Sequence, residues 1–307
     1  MNLSQQSCPV CGSENSRELL SHAEDPITHD QVRIVECSAC GVAYTAPRPS
    51  DLDPYYPMKY RRFGPLVTWV LNAFYGHRVG RWLREIKKPG SVLEIGCGAG
   101  LMLAAFRQHG WYATGIERDE RLAAIARLRG VEVTADPLQR LPENKRFDVI
   151  VMFNVLEHIG EPMPLLRECA RRLMPGGKIM MSMPNLASWQ ASFGRAHWFH
   201  LDPPRHLIHF TPDSLKQTLE RAGLTMQTVD FFSLEHDPYG WVESTINRLT
   251  GRANTITRYL MGIDPISPRL FVAFLLAALV GIPAVLLSVT SWIAGRGSIM
   301  EVTATNN

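Results

Sequence analysis

The chain has 307 residues, 46% hydrophobic and 20% charged, which excludes global disorder and allows one large domain with one or two small modules. Its 32 Lys and Arg against 29 Asp and Glu give a formal net charge of +3, too close to balance for a protein that wraps nucleic acid. A mean hydropathy of −0.06 excludes a polytopic membrane protein but not a single membrane-seeking segment.

The first element is marked by cysteine. Four of the six cysteines form two pairs, Cys8-Pro9-Val10-Cys11-Gly12 and Cys37-Ser38-Ala39-Cys40-Gly41. The two-residue gap lets both thiolates of a pair reach one ion, and the Gly lets the backbone turn so that amides face the sulfurs. Two such knuckles, about 25 residues apart, make a tetrahedral zinc site with Cys8, Cys11, Cys37 and Cys40 as ligands. Four thiolates leave no position for substrate, so the zinc is expected to be structural. Residues 1–7 are polar and lack an apolar signal region, which argues against disulfides of a secreted domain. Residues 31–36 alternate as a strand leading into the second knuckle, so residues 1–48 read as a zinc ribbon. Cys97 and Cys169 stand singly and read as small core residues.

Residues 46–60 carry four prolines and three tyrosines and read as an extended linker; 65–88 read as a helix stopped by Pro89-Gly90. Linker and helix make up a segment over 49–88. From 91 onward short apolar runs alternate with amphipathic helices. Strands are predicted at 91–95, 112–116, 131–134, 147–153 and 178–183, and helices at 99–109, 119–129, 162–174 and 212–222. Further strands fit 224–232 and 298–304. This alternation predicts a doubly wound α/β sheet.

The loop after the first of these strands decides the ligand. It reads Glu94-Ile95-Gly96-Cys97-Gly98-Ala99-Gly100. A dinucleotide fingerprint would place its third Gly at 101, where this chain has Leu. The carboxylate of Glu94 would repel a pyrophosphate and suits a ligand carrying an ammonium and a sulfonium. Gly96, Gly98 and Gly100 let the backbone approach that ligand. Glu117 ends the second strand, where a carboxylate can accept both hydroxyls of a ribose. Asp136 follows the third, where it can bond an adenine amino group. Three acids at three successive strand ends match a nucleoside ligand.

With Val92 to Gly100, Gly115-Ile116-Glu117, Phe147-Asp148-Val149-Ile150, Val155-Leu156-Glu157-His158-Ile159 and Met174-Pro175-Gly176-Gly177, the chain resembles class I S-adenosylmethionine-dependent methyltransferases over roughly 90–235. The ribbon, the Pro-rich Tyr-Tyr segment and Asp202-Pro203-Pro204-Arg205-His206 resemble a bacterial subgroup of saccharide, glycolipid or natural-product pathways. The resemblance implies S-adenosylmethionine as methyl donor and a Rossmann-like seven-stranded sheet with an antiparallel last strand. It implies Glu94 and Gly96 at the methionine part, Glu117 at the ribose, Asp136 at the adenine and Asn154 near the sulfonium. The methyltransferase domain is then 89–236 plus 297–307, with a helical insert over 237–296.

Methyl transfer requires alignment of nucleophile, methyl and leaving sulfur, and a hydroxyl acceptor also needs a base. Candidates are His158, His200, His206 and His209, with His206 favoured. The segment 198–210 follows the fifth strand, where the acceptor pocket is expected. Arg205 there can fix an anionic group, and His206 and His209 would share a face if the stretch were helical. Some quinone-pathway O-methyltransferases hold a divalent metal with an acid and a Glu-His pair like Glu157-His158. Here the first position is Asn154, which argues against a catalytic metal; the pair is expected to shape the loop over the cofactor. The Asn/Asp-Pro-Pro-Tyr loop of amino-directed DNA methyltransferases and the Pro-Cys nucleophile of cytosine C5 enzymes are absent.

Residues 270–295 contain no charge, a run of 26. A straight helix of that length would exceed the roughly 30 Å hydrocarbon core. Gly281 and Pro283 near its middle predict two shorter halves. A last strand inserted beside the sixth would bring both ends of the insert to one side of a membrane, so a helical hairpin dipping into one leaflet is expected. Burial in a homodimer interface is the other reading. Upstream apolar residues with Arg248, Arg252 and Arg258 suggest an interfacial stretch. The expected function is methyl transfer to a saccharide, lipid-linked or small-molecule acceptor in the cytoplasm, at the inner membrane face. The alternatives are a ribosomal or transfer RNA methyltransferase, which predicts a basic face that the short Arg clusters do not supply, and a non-catalytic membrane adaptor.

Overall fold

The computed structural model describes residues 6–56, 65–84, 86 and 88–306. Behind the cysteines, β1 (Ser16–Glu24), β2 (Gln31–Cys37) and β3 (Ala43–Ala46) form an antiparallel meander. A helix, α1 (Pro65–Leu83), leads into the main sheet and ends earlier than the sequence suggests. There follow β4 (Ser91–Ile95), α2 (Leu101–Gln108), β5 (Tyr112–Ile116), α3 (Glu120–Leu128), β6 (Glu132–Thr134), β7 (Phe147–Phe153), α4 (Pro162–Arg172) and β8 (Leu173–Pro184). Next come α5 (Trp189–Gly194), β9 (Ile208–His209), α6 (Pro212–Arg221) and β10 (Leu224–Asp230). The chain closes with α7 (Asp237–Thr250), α8 (Thr255–Leu260), α9 (Pro268–Ile293) and β11 (Ile299–Asn306).

The seven-stranded sheet has the order β10-β11-β8-β7-β4-β5-β6. The pairs among β4 to β8 are parallel, while β11 is antiparallel to both β8 and β10. Strands with helices on both faces must be apolar on both faces. Val92, Leu93 and Ile95 of β4 and Val149, Ile150, Val151 and Met152 of β7 are all buried, which is why these strands read as continuous apolar runs. The seven-stranded α/β sheet with an antiparallel last strand agrees with the expectation.

The cysteine module is not tethered loosely. Its sheet has a fourth strand, β9, which pairs with β3 through Ala43 and His209 and through Tyr44 and Ile208. One apolar core runs from Cys8, Val42 and Tyr44 through Leu207, Ile208 and Phe210 to Met181 and Met183 of β8. The presumed linker is likewise docked. Arg48 donates to the carbonyl of Gly160 at 3.0 Å, and a 3-10 turn spans Asp53–Tyr55. The part of the predicted linker over 57–60 lies outside the described residues.

The apolar insert corrects the expectation of two helical halves. α9 is one helix of 26 residues with Pro283 inside it. An internal proline removes one backbone hydrogen bond and costs about 3 kcal/mol. Packing on either side of it offsets that cost: Leu270, Ala273, Ala284, Ser288 and Ser291 are buried along one stripe. Both ends are fixed to the domain. The start of α7 lies at the end of α9, where Asp237 Oδ1 accepts from Ser298 N at 2.8 Å.

Candidate active site

The carboxyl edge of the sheet is built as a ligand cradle. After β4 the chain turns sharply through Gly96, Gly98 and Gly100, with φ of 70°, 52° and 73°. That region is open to Gly and strained for other residues. A side chain at Gly96 would also meet Val155, 2.7 Å from the position of its Cβ. Glu94, on β4 just before the turn, is 5% exposed. Burial, and then the charge of Glu117, pushes its carboxyl well above the usual carboxylate range.

Three buried polar atoms at adjacent strand ends have no hydrogen-bond partner among the described residues: Glu94 Oε2, Asn154 Oδ1 and Ser182 Oγ. They belong to β4, the residue after β7, and β8. Leaving such atoms unsatisfied costs about 1–3 kcal/mol each, so the set reads as contacts reserved for a ligand. Asn154 has φ of 52°, a conformation more typical of Gly, and its N–H donates to the Ser182 carbonyl at 2.8 Å. Strain of this kind collects at functional sites. Sequence reasoning singles out Glu94 and Asn154 but misses Ser182, which gives no signal inside an apolar strand.

Glu117 ends β5 as expected and organises the loop. Its oxygens accept from the amides of Gly98 and Asp119, both at 2.8 Å. Asp136, after β6, is exposed and lies 3.6 Å from Arg140. The buried orphan atoms and the glycine cradle fit a cationic nucleoside held at the carboxyl ends of these strands.

The four cysteines converge. Cys8 and Cys40 sulfurs are 3.5 Å apart, as are those of Cys11 and Cys37, and all four lie within 4.8 Å of one another. Zn–S bonds of about 2.3 Å in a tetrahedron give sulfur–sulfur edges near ~3.8 Å, so the donor set fits zinc. Burial raises the Cys8 and Cys40 thiols. At Cys37 burial also raises, but hydrogen bonds from the amides of Ala39 and Cys40 and from the Cys11 thiol outweigh it, leaving the thiol at about 7. The amides of the second knuckle thus face the sulfur as its spacing implies.

Between this module and the sheet edge lies a cluster of titratable groups. Glu157, His158 and His206 offer nitrogen and oxygen atoms within 4.8 Å of one another. His158 Nδ1 is 2.9 Å from the Arg205 carbonyl and 3.1 Å from Tyr56 Oη. The His158 and His206 rings meet edge to face at 4.7 Å. His206 is 5% exposed, and its Nδ1 lies 2.9 Å from the His200 carbonyl, which can only accept. The proton of the neutral ring therefore sits on Nδ1, and Nε2 is the basic nitrogen. Nε2 lies 3.8 Å from Asp202 and 4.0 Å from Glu157.

Two other expectations are revised. The stretch around His206 and His209 is not one helix: Phe199–Leu201 is a 3-10 turn and Ile208–His209 is β9. His209 lies in the sheet contact, 4% exposed and 3.3 Å from Thr45 Oγ1. Burial lowers its imidazole to about 4. Arg205, expected to fix an anionic acceptor, is fully buried and already committed. It pairs with Asp25 at 2.7 Å and Asp202 at 2.6 Å, and donates to the Tyr55 carbonyl at 2.9 Å. Its sequence neighbours gave no hint of Asp25, far upstream in the ribbon.

A run of rings leads away from Asn154. Tyr75 and His236 flank Phe153 at 5.5 and 6.2 Å, and His200 lies 6.1 Å from His236. Arg78 lies 4.4 Å over Phe153 and, 4% exposed, is fixed between Glu301 and Glu235.

A family profile described as "Methyltransferase domain" matches residues 70–229. A ubiquinone biosynthesis O-methyltransferase of Bordetella avium (strain 197N) is 30% identical over 69% of this chain and 92% of its own length. One of Pseudomonas fluorescens (strain Pf0-1) is 36% identical over 48% of this chain and 68% of its own. A crystal structure of a SAM-dependent methyltransferase from Archaeoglobus fulgidus, 20% identical, aligns with 76% of this chain and 93% of its own at a TM-score of 0.49. With its glycine cradle, its sheet order and this match across half its length, the chain belongs to the S-adenosylmethionine-dependent methyltransferases.

Proposed function

We propose that this methyltransferase acts on a hydroxyl oxygen of a saccharide, lipid-linked or other natural-product acceptor, with His206 as general base. The observation that carries the reading is the His206 environment: a basic Nε2 set against Glu157 and Asp202, beside the sheet edge that ends in Asn154. S-adenosylmethionine supplies an electrophilic methyl on a sulfonium. Glu94 neutralises the ligand's positive charge, and the positive-φ turn lets backbone amides approach it. Glu117 holds the turn in shape and would accept from the ribose hydroxyls; Asp136 would take the adenine end. Asn154 and Ser182 use their vacant hydrogen-bonding capacity on the donor. His206 Nε2 takes the acceptor's proton as oxygen attacks, and the two carboxylates stabilise the imidazolium. Proton removal by a placed base contributes about 10²–10⁴ in rate. The O-methyltransferase names of the relatives support an oxygen acceptor. The thiolate cluster would hold zinc, and the core that it shares with Tyr44 and Ile208 keeps β3 and β9 in place behind the base.

The test is transfer of labelled methyl from S-adenosylmethionine into a whole-cell extract separated into lipid, saccharide, small-molecule and RNA fractions. Label in a lipid, saccharide or small-molecule product is expected. With that product, His206→Gln should lower kcat about 10²-fold or more while leaving donor affinity unchanged. Label confined to RNA, or a His206→Gln enzyme with an unaltered kcat and pH profile, would overturn the proposal.

A further inference from the structure

The exterior of α9 is inverted relative to a soluble helix. Apart from Leu270 near its start, its packed stripe is made of the small residues Ala273, Ala284, Ser288 and Ser291, while most of its large apolar side chains face outward. Phe271, Leu275, Leu279, Ile282, Leu286 and Ile293 recur every three, four or seven residues on the opposite side. Each is more than half exposed, from 56% at Leu275 to 76% at Ile282. A helix buried in water-soluble surroundings places its largest apolar groups inward; small residues inward and large ones outward is the pattern of a lipid-facing helix. The helix runs about 39 Å.

We propose that α9 lies flat on an anionic lipid bilayer, its outer face sunk into the interface, and so holds the methyltransferase against the membrane. Three observations select this occupant. First, charge: the insert, residues 237–296, contains five arginines, no lysine and three carboxylates, a net +2 against the whole chain's +3. The three carboxylates are engaged within the fold: Asp237 accepts from Ser298 N at 2.8 Å, Glu243 is buried and accepts from Thr257 at 2.8 Å, and Asp264 pairs with Arg258 at 2.8 Å. Arg269 and Arg296 stand exposed at the two ends of the helix. Second, the width of the apolar face: Val272, Phe274, Val285 and Leu287 flank the outer stripe and are also exposed, at 40% or more. A second copy of the helix would cover one stripe; a bilayer covers the whole outer sector. Third, two half-exposed tryptophans, Trp292 on α9 and Trp189 beside Arg296, lie near one end, as ring systems do at the lipid–water boundary. A spanning orientation does not suit the fold, because Asp237 binds Ser298 at one end and Tyr259 packs on Phe274 toward the other, both within one folded body.

The full chain would be mixed with vesicles of phosphatidylcholine alone or with phosphatidylglycerol and sedimented at low and high salt. Binding to the anionic vesicles, weakened by salt, is expected. Leu275→Glu with Leu279→Glu and Leu286→Glu should weaken partitioning by more than about 100-fold. Arg269→Gln, on the surface and unable to disturb the core, should weaken it about fivefold on anionic vesicles only. S-adenosylmethionine affinity should be unchanged in both variants, which separates loss of docking from loss of fold and from any failure of the proposed acceptor. Absence of vesicle binding by the intact chain, or a dimer in light scattering that the leucine variants dissociate, would overturn the proposal.

Discussion

Asp25 of the cysteine module and Arg205 of the loop before β9 form an ion pair of 2.7 Å with both side chains fully buried. The second oxygen of Asp25 accepts from the amides of Ile27 and Thr28, at 3.0 and 2.5 Å. The pair therefore joins a turn of the small sheet to the residue next to His206. A buried charge left with no partner costs about 3–5 kcal/mol, but Arg205 keeps Asp202 at 2.6 Å when Asp25 is removed. Asp25→Ala should therefore lower stability in denaturant unfolding by less than that, about 1–3 kcal/mol. It should also lower kcat with little change in donor affinity, because the loop carrying His206 loses its anchor while the β4 turn does not. An unchanged kcat would show that the pair holds the fold only.

The four thiols make a second prediction about the same interface. Elemental analysis of the purified chain should give one zinc ion per chain. Cys40→Ser should lose the metal, since three thiolates remain on a site built for four. The core shared by Cys40, Tyr44 and Ile208 should then loosen, and amide exchange should accelerate in β3 and β9 before it does in β4 or β7. Equal acceleration throughout would mean that the ribbon and the sheet unfold as one unit.

The strands of the main sheet were legible in the sequence because buried parallel strands read as uninterrupted apolar runs, as at Val149 to Met152, and because Gly96, Gly98 and Gly100 punctuate the first turn. The place of the last strand came from the family resemblance. Long-range pairings left no local trace. β9 is two residues long, and its partner Ala43 lies in another module. Asp25 looks like any turn acid until Arg205 is seen against it. Pro283 misled in the other direction: its local rule breaks a helix, but packing of Ala273 and Ala284 on both sides overrides the rule. Of the expected site, Glu94, Asn154, Glu157, His158 and His206 fall along the sheet edge, whereas His209 and Arg205 serve the interface.

Donor binding should depend on pH through Glu94. In the ligand-free site, burial and Glu117 hold its carboxyl protonated above the ordinary carboxylate range. A cationic ligand favours the ionised form, so binding releases a proton wherever Glu94 is still protonated. Affinity for S-adenosylmethionine should therefore rise with pH and level off above the raised value. Glu94→Gln should lose this dependence and bind about 10-fold or more weakly, as calorimetry in buffers of different ionisation heat would show. A variant that keeps the wild-type pH profile would place the charge contact elsewhere.

His209 should govern stability in mild acid. Its imidazole falls from 6.5 unfolded to about 4 in the folded chain, because burial disfavours the cation. Between those values the unfolded state binds more protons, so unfolding free energy falls as pH drops from 6.5 toward 4 and is fully retained above 6.5. The full shift corresponds to about 3 kcal/mol. His209→Gln removes the titrating group while keeping a polar atom for Thr45. The variant should be less stable at neutral pH but lose less between pH 6.5 and 4, so that the two urea-unfolding curves converge in acid. Parallel loss in both proteins would assign the acid sensitivity to other groups and leave His209 a packing residue of the β3–β9 contact.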